Sequence, residues 1–334
     1  MPLVLQPDAL AFANTSNVEA SPKLYKFRLE PPAQACLRLH SAFFLQGIDI
    51  LCGLNSLRKL FDLACGKQSK GFRIDMELCS TGLMTTRWES LQETMSQTSL
   101  CRRYGRGFGA SCTTQEGRLT ESSSHRRAIS YSLSDLNLIV QFEVDAFHCL
   151  CSQRVDGKNL CCNTRVTDGE PVLAVAEVSQ SNFPEDFAPY LDIVDIGMTH
   201  DNGCMIEIKS RDHKNKASDD IMVQMWLSGC RQLYLGRHIR GHFDTDAVYR
   251  GNMKSDISIW QRQHGDEIVC LTALLRQIRQ KVSQSASGAV GGRLALICER
   301  LGTDMILKLW RREAGQDIMR HEILVRLQRH CQVA

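Results

Sequence analysis

Four ionisable side chains occur at a spacing that could support metal-dependent hydrolysis. They form an E-x-D tripeptide with Glu143 and Asp145, and an E-x-K tripeptide with Glu207 and Lys209. Each tripeptide ends an apolar run that predicts a strand, and residues i and i+2 of a strand point to the same face of a sheet. Ionised groups on such apolar strands are costly unless they are paired or bound to a metal. We therefore expect the four side chains to converge if the two strands are neighbours.

Three carboxylates and one ammonium at one place could form a hydrolytic centre. Carboxylate oxygens at about 2.0–2.1 Å suit Mg²⁺ or Mn²⁺, and such an ion polarises a phosphoryl oxygen and lowers the pKa of a bound water. Lys209 could then orient that water or stabilise charge that develops on the phosphate. The predicted cofactor is accordingly Mg²⁺ or Mn²⁺.

The alternative is that both tripeptides lie on edge strands and present salt-bridged polar faces to solvent. Either tripeptide alone would favour that interpretation, because both patterns are common by chance. Their occurrence together, each at the end of an apolar run and followed by a helix that carries Gln224, favours a functional site.

The elements that must position these residues predict an α/β (α+β) fold, with a mixed central β-sheet flanked by helices. The run from Leu136 to Phe147 is almost continuously apolar before Glu143, which is typical of a central strand covered on both faces. The segment from Gly71 to Leu78 alternates apolar and polar residues and predicts a half-buried strand. The other predicted strands are 82–88, 128–133, 204–210, 232–238, 293–299 and 304–311, and the predicted helices are 54–65, 218–229, 266–282 and 316–330.

The chain is expected to form one domain. Residues 1–40 predict an irregular N-terminal arm, residues 41–334 predict the domain, and residues 148–203 predict a peripheral insertion because so long a segment is unusual within a compact core. Cys149, Cys151 and the pair Cys161 and Cys162 lie in that insertion. Their spacing does not match the usual paired zinc-ligand pattern, so reduced loop cysteines are the favoured interpretation.

The composition argues for an ordinary globular protein that is neither secreted nor embedded in a membrane. The formal net charge of the 334 residues is only +3, so any affinity for nucleic acid must come from a local basic surface. Basic runs occur at 102–106, 125–127 and 231–240, although a solvated face is the simpler interpretation of each. The N-terminus lacks a secretory signal, and no run reaches the length of a membrane span. The predicted location is the nucleus or cytoplasm, where the 15 cysteines are expected to be reduced.

The order of E-x-D strand, E-x-K strand and glutamine-bearing helix resembles the PD-(D/E)XK nuclease-like superfamily. More specifically, the chain looks like a fungal relative of the DXO-type decapping exonucleases over residues 50–312. Some proteins of this kind carry the label geranylgeranyl pyrophosphate synthetase, but the sequence lacks the two aspartate-rich helical motifs which that chemistry needs. The segments that carry the resemblance are 54–61, 72–78, 104–108, 136–146, 206–211, 224–226 and 235–236.

The resemblance implies roles for individual residues. Asp145 and Glu207 would be metal ligands, and Glu143 would be a ligand directly or through water. Lys209 and Gln224 would flank the scissile phosphate. The residues predicted to bind the substrate are Arg58, Arg106 and Arg211.

The sequence departs from the family pattern at Gly109. The nucleases carry a glutamate after a G-x-x-F step, whereas Phe108 is followed here by Gly109 and Ala110. Glu116 is close in sequence but lies in a loop-like segment. The loss could leave an enzyme that uses one metal ion, a weak enzyme, or an inactive binding module.

The leading hypothesis is therefore a metal-dependent phosphodiester hydrolase that acts on RNA ends. The alternative is a catalytically inactive module of the same fold that binds nucleic acid or protein. A nuclease directed at DNA is the third hypothesis, which a substrate panel that differs only in the 2′-OH would separate from the first.

Overall fold

The computed structural model describes residues 3–4, 27, 29–31, 33–34, 47–79, 82–88, 104–114, 125–148, 202–213, 219–244, 248–286, 292–312 and 317–325. The α/β prediction is confirmed by a mixed arrangement of sheets and helices. The helices are α1 (Leu54–Ala64), α2 (Gly105–Cys112), α3 (Asp219–Ser228), α4 (Lys254–Gln263) and α5 (Gly265–Ala286). The strands are β1 (Leu3–Val4), β2 (Ile50–Gly53), β3 (Phe72–Cys79), β4 (Gly82–Trp88), β5 (Arg126–Leu133), β6 (Leu136–Glu143), β7 (Ala146–Phe147), β8 (Met205–Asp212), β9 (Gln232–His238), β10 (His242–Phe243), β11 (Val248–Asn252), β12 (Arg293–Leu301) and β13 (Asp304–Arg311).

The larger sheet has seven strands in the order β13-β12-β3-β4-β2-β6-β5. Strand β2 lies between β4 and β6 and runs parallel to both, so these three strands end at the same side of the sheet, which we call the carboxyl edge. Apolar residues of α1 and α5 pack on one face of this sheet and form the main core. Trp260 of α4 is buried there against Phe61.

The opposite face of the seven-stranded sheet is also covered. Its apolar residues pack against Leu29, Ala33 and residues 318–324 in a second buried cluster. The polar residues Asp75 and Glu77 of β3 lie on this face and are buried. The prediction of a half-buried strand at 71–78 is therefore wrong, because Arg312 and Ile318 from the C-terminal part of the chain contact Asp75 and Glu77.

The smaller sheet has four strands in the order β11-β9-β8-β7. Strands β8 and β9 are parallel, whereas β7 and β11 are antiparallel to their neighbours. Helix α3 packs against one face of β9, and Phe108 of α2 packs against the other face of β8. A two-stranded pairing of β1 with β10 adds to these sheets.

The predicted strand from Leu136 to Phe147 is in fact two strands in different sheets. Strand β6 ends at Glu143, the chain leaves the larger sheet at Val144 and Asp145, and β7 begins at Ala146 in the smaller sheet. Val144 is buried in the main core, and this buried residue anchors the crossing between the sheets. The E-x-D tripeptide therefore spans the junction of the two sheets instead of lying within one strand.

Several sequence predictions fall outside the described residues. They concern most of the N-terminal arm, almost all of the 148–203 insertion with its four clustered cysteines, the first residue of the predicted helix 218–229, and Glu116. The division into an arm, a domain and an insertion therefore stays a prediction.

Candidate active site

Glu207 and Lys209 lie on β8 and face α3. The apolar residues between and before them, Ile206 and Ile208, point to the other side of the strand and pack against α2, so the alternation of the sequence directs the two charged groups to one face. The Lys209 ammonium contacts Glu207 Oε1 directly. The side chain of Glu207 is only 5% exposed, whereas that of Lys209 is 25% exposed. The centre of the site is thus the buried carboxylate of Glu207, paired with the partly exposed ammonium of Lys209.

Asp145 reaches the same place from the junction between the two sheets. Its Oδ2 accepts a hydrogen bond of 2.8 Å from the backbone N–H of Ile208 and lies 4.0 Å from Lys209 Nζ. The Asp145 side chain is 33% exposed. Of the four side chains predicted to converge, these contacts bring together Asp145, Glu207 and Lys209 but not Glu143.

Gln224 and Arg58 extend the site toward α1. Gln224 Nε2 donates a 2.6 Å hydrogen bond to Glu207 Oε1, and Arg58 Nη1 donates a 3.0 Å hydrogen bond to Gln224 Oε1. Because the amide of Gln224 is used at both ends, its orientation is fixed. The Arg58 guanidinium is consequently held near the site without pairing directly with Glu207.

The electrostatic balance at Glu207 favours binding of a cation. The pKa of Glu207 is raised to about 7, chiefly by burial and also by the nearby Asp145, while Lys209 opposes the shift. The charged form of this carboxylate is therefore under-stabilised by the residues around it. A further positive charge beside Glu207 would offset that cost.

The residues present fit a divalent ion held by few protein ligands. Within the described residues, no three His, Cys, Asp or Glu side chains come close enough together to hold a metal ion. Mg²⁺-type sites are nevertheless often built from one or two carboxylates together with waters and substrate phosphates. Asp145 and Glu207 supply two such carboxylates, and the Lys209 ammonium between them shows that a positive charge is accommodated at this position.

The other predicted site residues occupy different environments. Glu143 is exposed at the end of β6, opposite Arg126 of β5, and it makes none of the contacts that join Asp145 to Glu207. Arg106 is exposed on α2. Arg211 contacts Asp220 at the beginning of α3, which ties it to the helix that carries Gln224. The metal role of Glu143 and the substrate roles of Arg106 and Arg211 stay predictions.

One group in the site, a backbone amide, could not be predicted from the sequence. The amide of Ile208 holds Asp145 in place, yet this contact depends only on the backbone and any non-proline residue could supply it. The space around Gly109 is open: a Cβ atom added there would meet nothing within 4 Å. The described part of the chain contains no helix that is both long and apolar enough to span a membrane.

Comparison with families of known sequence gives one match over nearly the whole chain. The family model described as "Domain of unknown function (DUF8563)" matches residues 4–327. No curated protein matches this chain.

Comparison with solved structures identifies a shared fold. Rai1 of Scheffersomyces stipitis superposes with a TM-score of 0.55 at 11% identity, over 90% of this chain and 80% of that chain. Rai1 of S. pombe gives a TM-score of 0.52 at 14% identity, over 93% and 85% of the two chains. Dxo1 of K. lactis, solved in complex with manganese, gives 0.51 at 10% identity, over 94% and 83%. The chain therefore has the Rai1/Dxo1 fold, and the resemblance seen in the sequence is confirmed at the level of the fold.

Proposed function

The chain belongs to the DUF8563 family of domains of unknown function, and we propose that it is a metal-dependent phosphodiester hydrolase that acts on RNA 5′ ends. The observation that carries this proposal is the contact network of Asp145, Glu207, Lys209 and Gln224 on the Rai1/Dxo1 fold. The Dxo1 structure that shares the fold was solved with manganese, which supports a requirement for a divalent ion. The choice between Mg²⁺ and Mn²⁺ belongs to the same proposal.

In the proposed reaction the residues of the chain position the substrate and balance its charge. A divalent ion held by Asp145 and Glu207 would polarise a phosphoryl oxygen and lower the pKa of a bound water. Lys209 would move from Glu207 to the phosphate and stabilise the charge that develops there. Arg58, held by Gln224, would contact the neighbouring phosphate oxygens, since a guanidinium is suited to bidentate contacts with phosphate.

The direct test is hydrolysis of a 5′-labelled RNA in the presence of Mg²⁺ or Mn²⁺. We expect Asp145→Ala and Glu207→Ala each to lower the rate by a factor of about 10²–10³, the loss typical for one electrostatic contributor to catalysis. Glu299→Ala is the matched control, because Glu299 is an exposed carboxylate on β12 that pairs with the exposed Lys308. Unchanged hydrolysis in the Asp145 and Glu207 variants would contradict the proposal. A parallel DNA substrate distinguishes an RNA enzyme from a DNA nuclease.

Gly109 supports a second candidate function, an inactive module of the same fold that binds nucleic acid or protein. Without a glutamate at this position, the described residues supply only Asp145 and Glu207 as closely placed carboxylates. This function predicts no turnover of any RNA or DNA and no measurable binding of Mn²⁺ by calorimetry. Heat of Mn²⁺ binding that disappears in Asp145→Asn would exclude it. For either function, the nucleus or cytoplasm is the proposed location.

A further inference from the structure

Cations that are far apart in the sequence share the carboxyl edge of the seven-stranded sheet. Arg87 and Trp88 end β4, and Arg73, near the start of β3, pairs with Trp88 in the strand register. Lys70 lies just before β3, and Lys59 lies on α1 next to Arg58. We call Lys59, Lys70, Arg73, Arg87 and Trp88 the basic edge.

The strand register places the basic edge beside the candidate active site. In the parallel pairs, Cys52 aligns with Thr85 of β4 and with Val140 of β6. Trp88 and Glu143 each lie three residues further along, so they stand at the same level of the sheet with β2 between their strands. Two strand spacings separate their backbones, which is about 10 Å. Ligands of open α/β sheets commonly bind at this end of parallel strands.

The side chains of the basic edge project from both faces of the sheet at this edge, because Arg73 and Trp88 alternate with Ile74 and Arg87 along their strands and lie on the face opposite α1. Arg87 pairs in register with Ile74, which is buried in the main core beneath α1 and α5, so Arg87 lies on the face that α1 covers. Lys59 is half-buried, and burial together with the charges of Arg87, Arg58 and Lys70 lowers the pKa of Lys59, while Asp62 opposes this shift. Several like charges held together cost free energy in the absence of an anion, and an anionic polymer would offset that cost.

Trp88 adds a flat apolar surface to the basic edge. Its side chain is 47% exposed, and the Arg73 guanidinium lies 5.2 Å from the ring centroid. Arg73 is held in turn by a 2.6 Å contact with Asp75. A single strand of nucleic acid that crosses the ends of β3 and β4 would meet Lys59 and Arg87 on one face and the Trp88 ring on the other. Cations on phosphates together with a ring on a base are the combination that binds single-stranded nucleic acid.

We infer that the basic edge holds the RNA strand beyond the nucleotide that occupies the candidate active site. This inference rests on the proposed function, since it takes the RNA end to lie at Asp145 and Glu207. Arg58 then lies between the two regions. It contacts Gln224 of the candidate active site, and it is the neighbour on α1 of Lys59 in the basic edge.

The test compares a short and a long RNA. Binding of a 5′-phosphorylated trinucleotide and a dodecanucleotide is measured by fluorescence anisotropy with EDTA present, so that no cleavage occurs. We expect wild type to bind the dodecanucleotide more tightly. The double variant Lys70→Gln, Arg87→Gln should weaken that binding by about 25-fold at about 0.1 M salt and lower the salt slope by about 1.4, because each lost phosphate contact removes about 0.7 from the slope for a single strand.

Trp88→Ala should weaken binding of the dodecanucleotide by about fivefold or more, and Trp88→Phe should retain most of the affinity because it keeps an aromatic face. Lys281→Gln is the matched control. Lys281 is exposed on α5, near Arg279, which pairs with Asp49 at the opposite edge of the sheet. The melting temperature of each variant verifies that it is folded.

Equal binding of the dodecanucleotide by wild type and by the folded basic-edge variants would overturn the inference, as would equal competition by polyglutamate. Failure of the proposed function gives a different result. In that case no RNA is hydrolysed with Mg²⁺ or Mn²⁺, while the basic-edge variants still lose affinity for the dodecanucleotide. If both hold, the basic-edge variants hydrolyse the trinucleotide at the wild-type rate and lose activity only on the longer RNA.

Discussion

Two clusters of charged side chains in this molecule each contain a pair two residues apart on one strand, and the surroundings of the two clusters differ. Asp75 and Glu77 lie two residues apart on β3, as the acidic and basic residues of the E-x-K tripeptide do on β8. Both Asp75 and Glu77 are buried, and they are surrounded by the guanidinium groups of Arg73, Arg293 and Arg312. Among the described residues, Asp145 and Glu207 share Lys209 as their direct cationic partner.

The difference is one of charge balance. On the larger sheet, three arginines face Asp75, Glu77 and Asp317, so the charges cancel within the cluster. At the candidate active site, two carboxylates face one ammonium, and the neutral amide of Gln224 separates Arg58 from Glu207. A balanced cluster joins segments of the chain, whereas an excess of negative charge leaves room for a metal ion. We call the first group the sheet cluster and the second the site cluster.

The largest expected effect concerns the stability that the sheet cluster provides. The side chain of Arg312 is 2% exposed, and its Nε lies 3.5 Å from Asp75 Oδ2. Arg312→Ala would leave buried carboxylates under-compensated, so we expect the free energy of unfolding to fall by about 3 kcal/mol. Denaturant unfolding measures this change. Arg311→Ala is the control, because Arg311 is exposed on β13 and its loss should cost less than about 0.5 kcal/mol.

Metal binding should distinguish the two clusters directly. Mn²⁺ at about 100 times its dissociation constant should raise the free energy of unfolding of wild type by about 2.7 kcal/mol, because only the folded protein presents the site. Asp145→Asn should abolish this gain. Asp75→Asn should lower the starting stability yet keep the gain. A Mn²⁺ effect that survives in Asp145→Asn would place the ion elsewhere.

In the metal-free protein, the free energy of unfolding should depend on pH through Glu207 of the site cluster. Burial raises the pKa of Glu207 to about 7 in the folded state, against about 4.3 in an unfolded chain. The folded protein therefore binds more protons between these values, and its stability falls as the pH rises through this window. We expect Glu207→Gln to remove about 2 kcal/mol of the fall between about pH 5 and pH 7.5.

Denaturant unfolding at several pH values in EDTA measures this effect. Glu299→Gln should keep the wild-type profile, because Glu299 is exposed on β12. A Glu207→Gln profile that falls as steeply as that of wild type would contradict the assignment of the shift to Glu207.

The two clusters also show how far the sequence predicts this structure. The alternation of β8 fixes the common face of Glu207 and Lys209, and the helix with Gln224 follows directly, so this part of the site could be predicted. The same alternation on β3 predicts solvent for Asp75 and Glu77. Their burial depends on Arg312 and residues 317–318, which are distant in the sequence and carry no local signal of where they pack.

The junction at Asp145 could not be predicted for a related reason. Nothing in the run from Leu136 to Phe147 marks the point at which the chain changes sheets, since Val144 is apolar like the strand before it. The sequence does not reveal the basic edge, because its cations come from α1, β4, β3 and the residue Lys70 before β3, and they form no continuous run. The position of a residue at the edge of a sheet follows from strand order, which only tertiary contacts decide.

The smallest expected effect tests whether the site cluster lacks a carboxylate at Gly109. Helix α2 packs on the strand that carries Glu207, and a side chain at Gly109 has open space around it. We expect both Gly109→Gln and Gly109→Glu to stabilise the helix, by up to about 1 kcal/mol, because glycine is the more flexible residue. Glutamate should gain slightly less than glutamine, since a negative charge is unfavourable near a helix C-terminus.

Affinity for Mn²⁺ should separate the two variants in the opposite order. If the glutamate reaches the position that the family resemblance implies, Gly109→Glu should bind Mn²⁺ about tenfold more tightly than Gly109→Gln, a difference of about 1.4 kcal/mol. Calorimetry measures both affinities. Because helix stability favours the glutamine variant, tighter binding by the glutamate variant must come from the added carboxylate. Equal affinities would show that α2 presents residue 109 away from the ion, and the site would then depend on Asp145 and Glu207 alone.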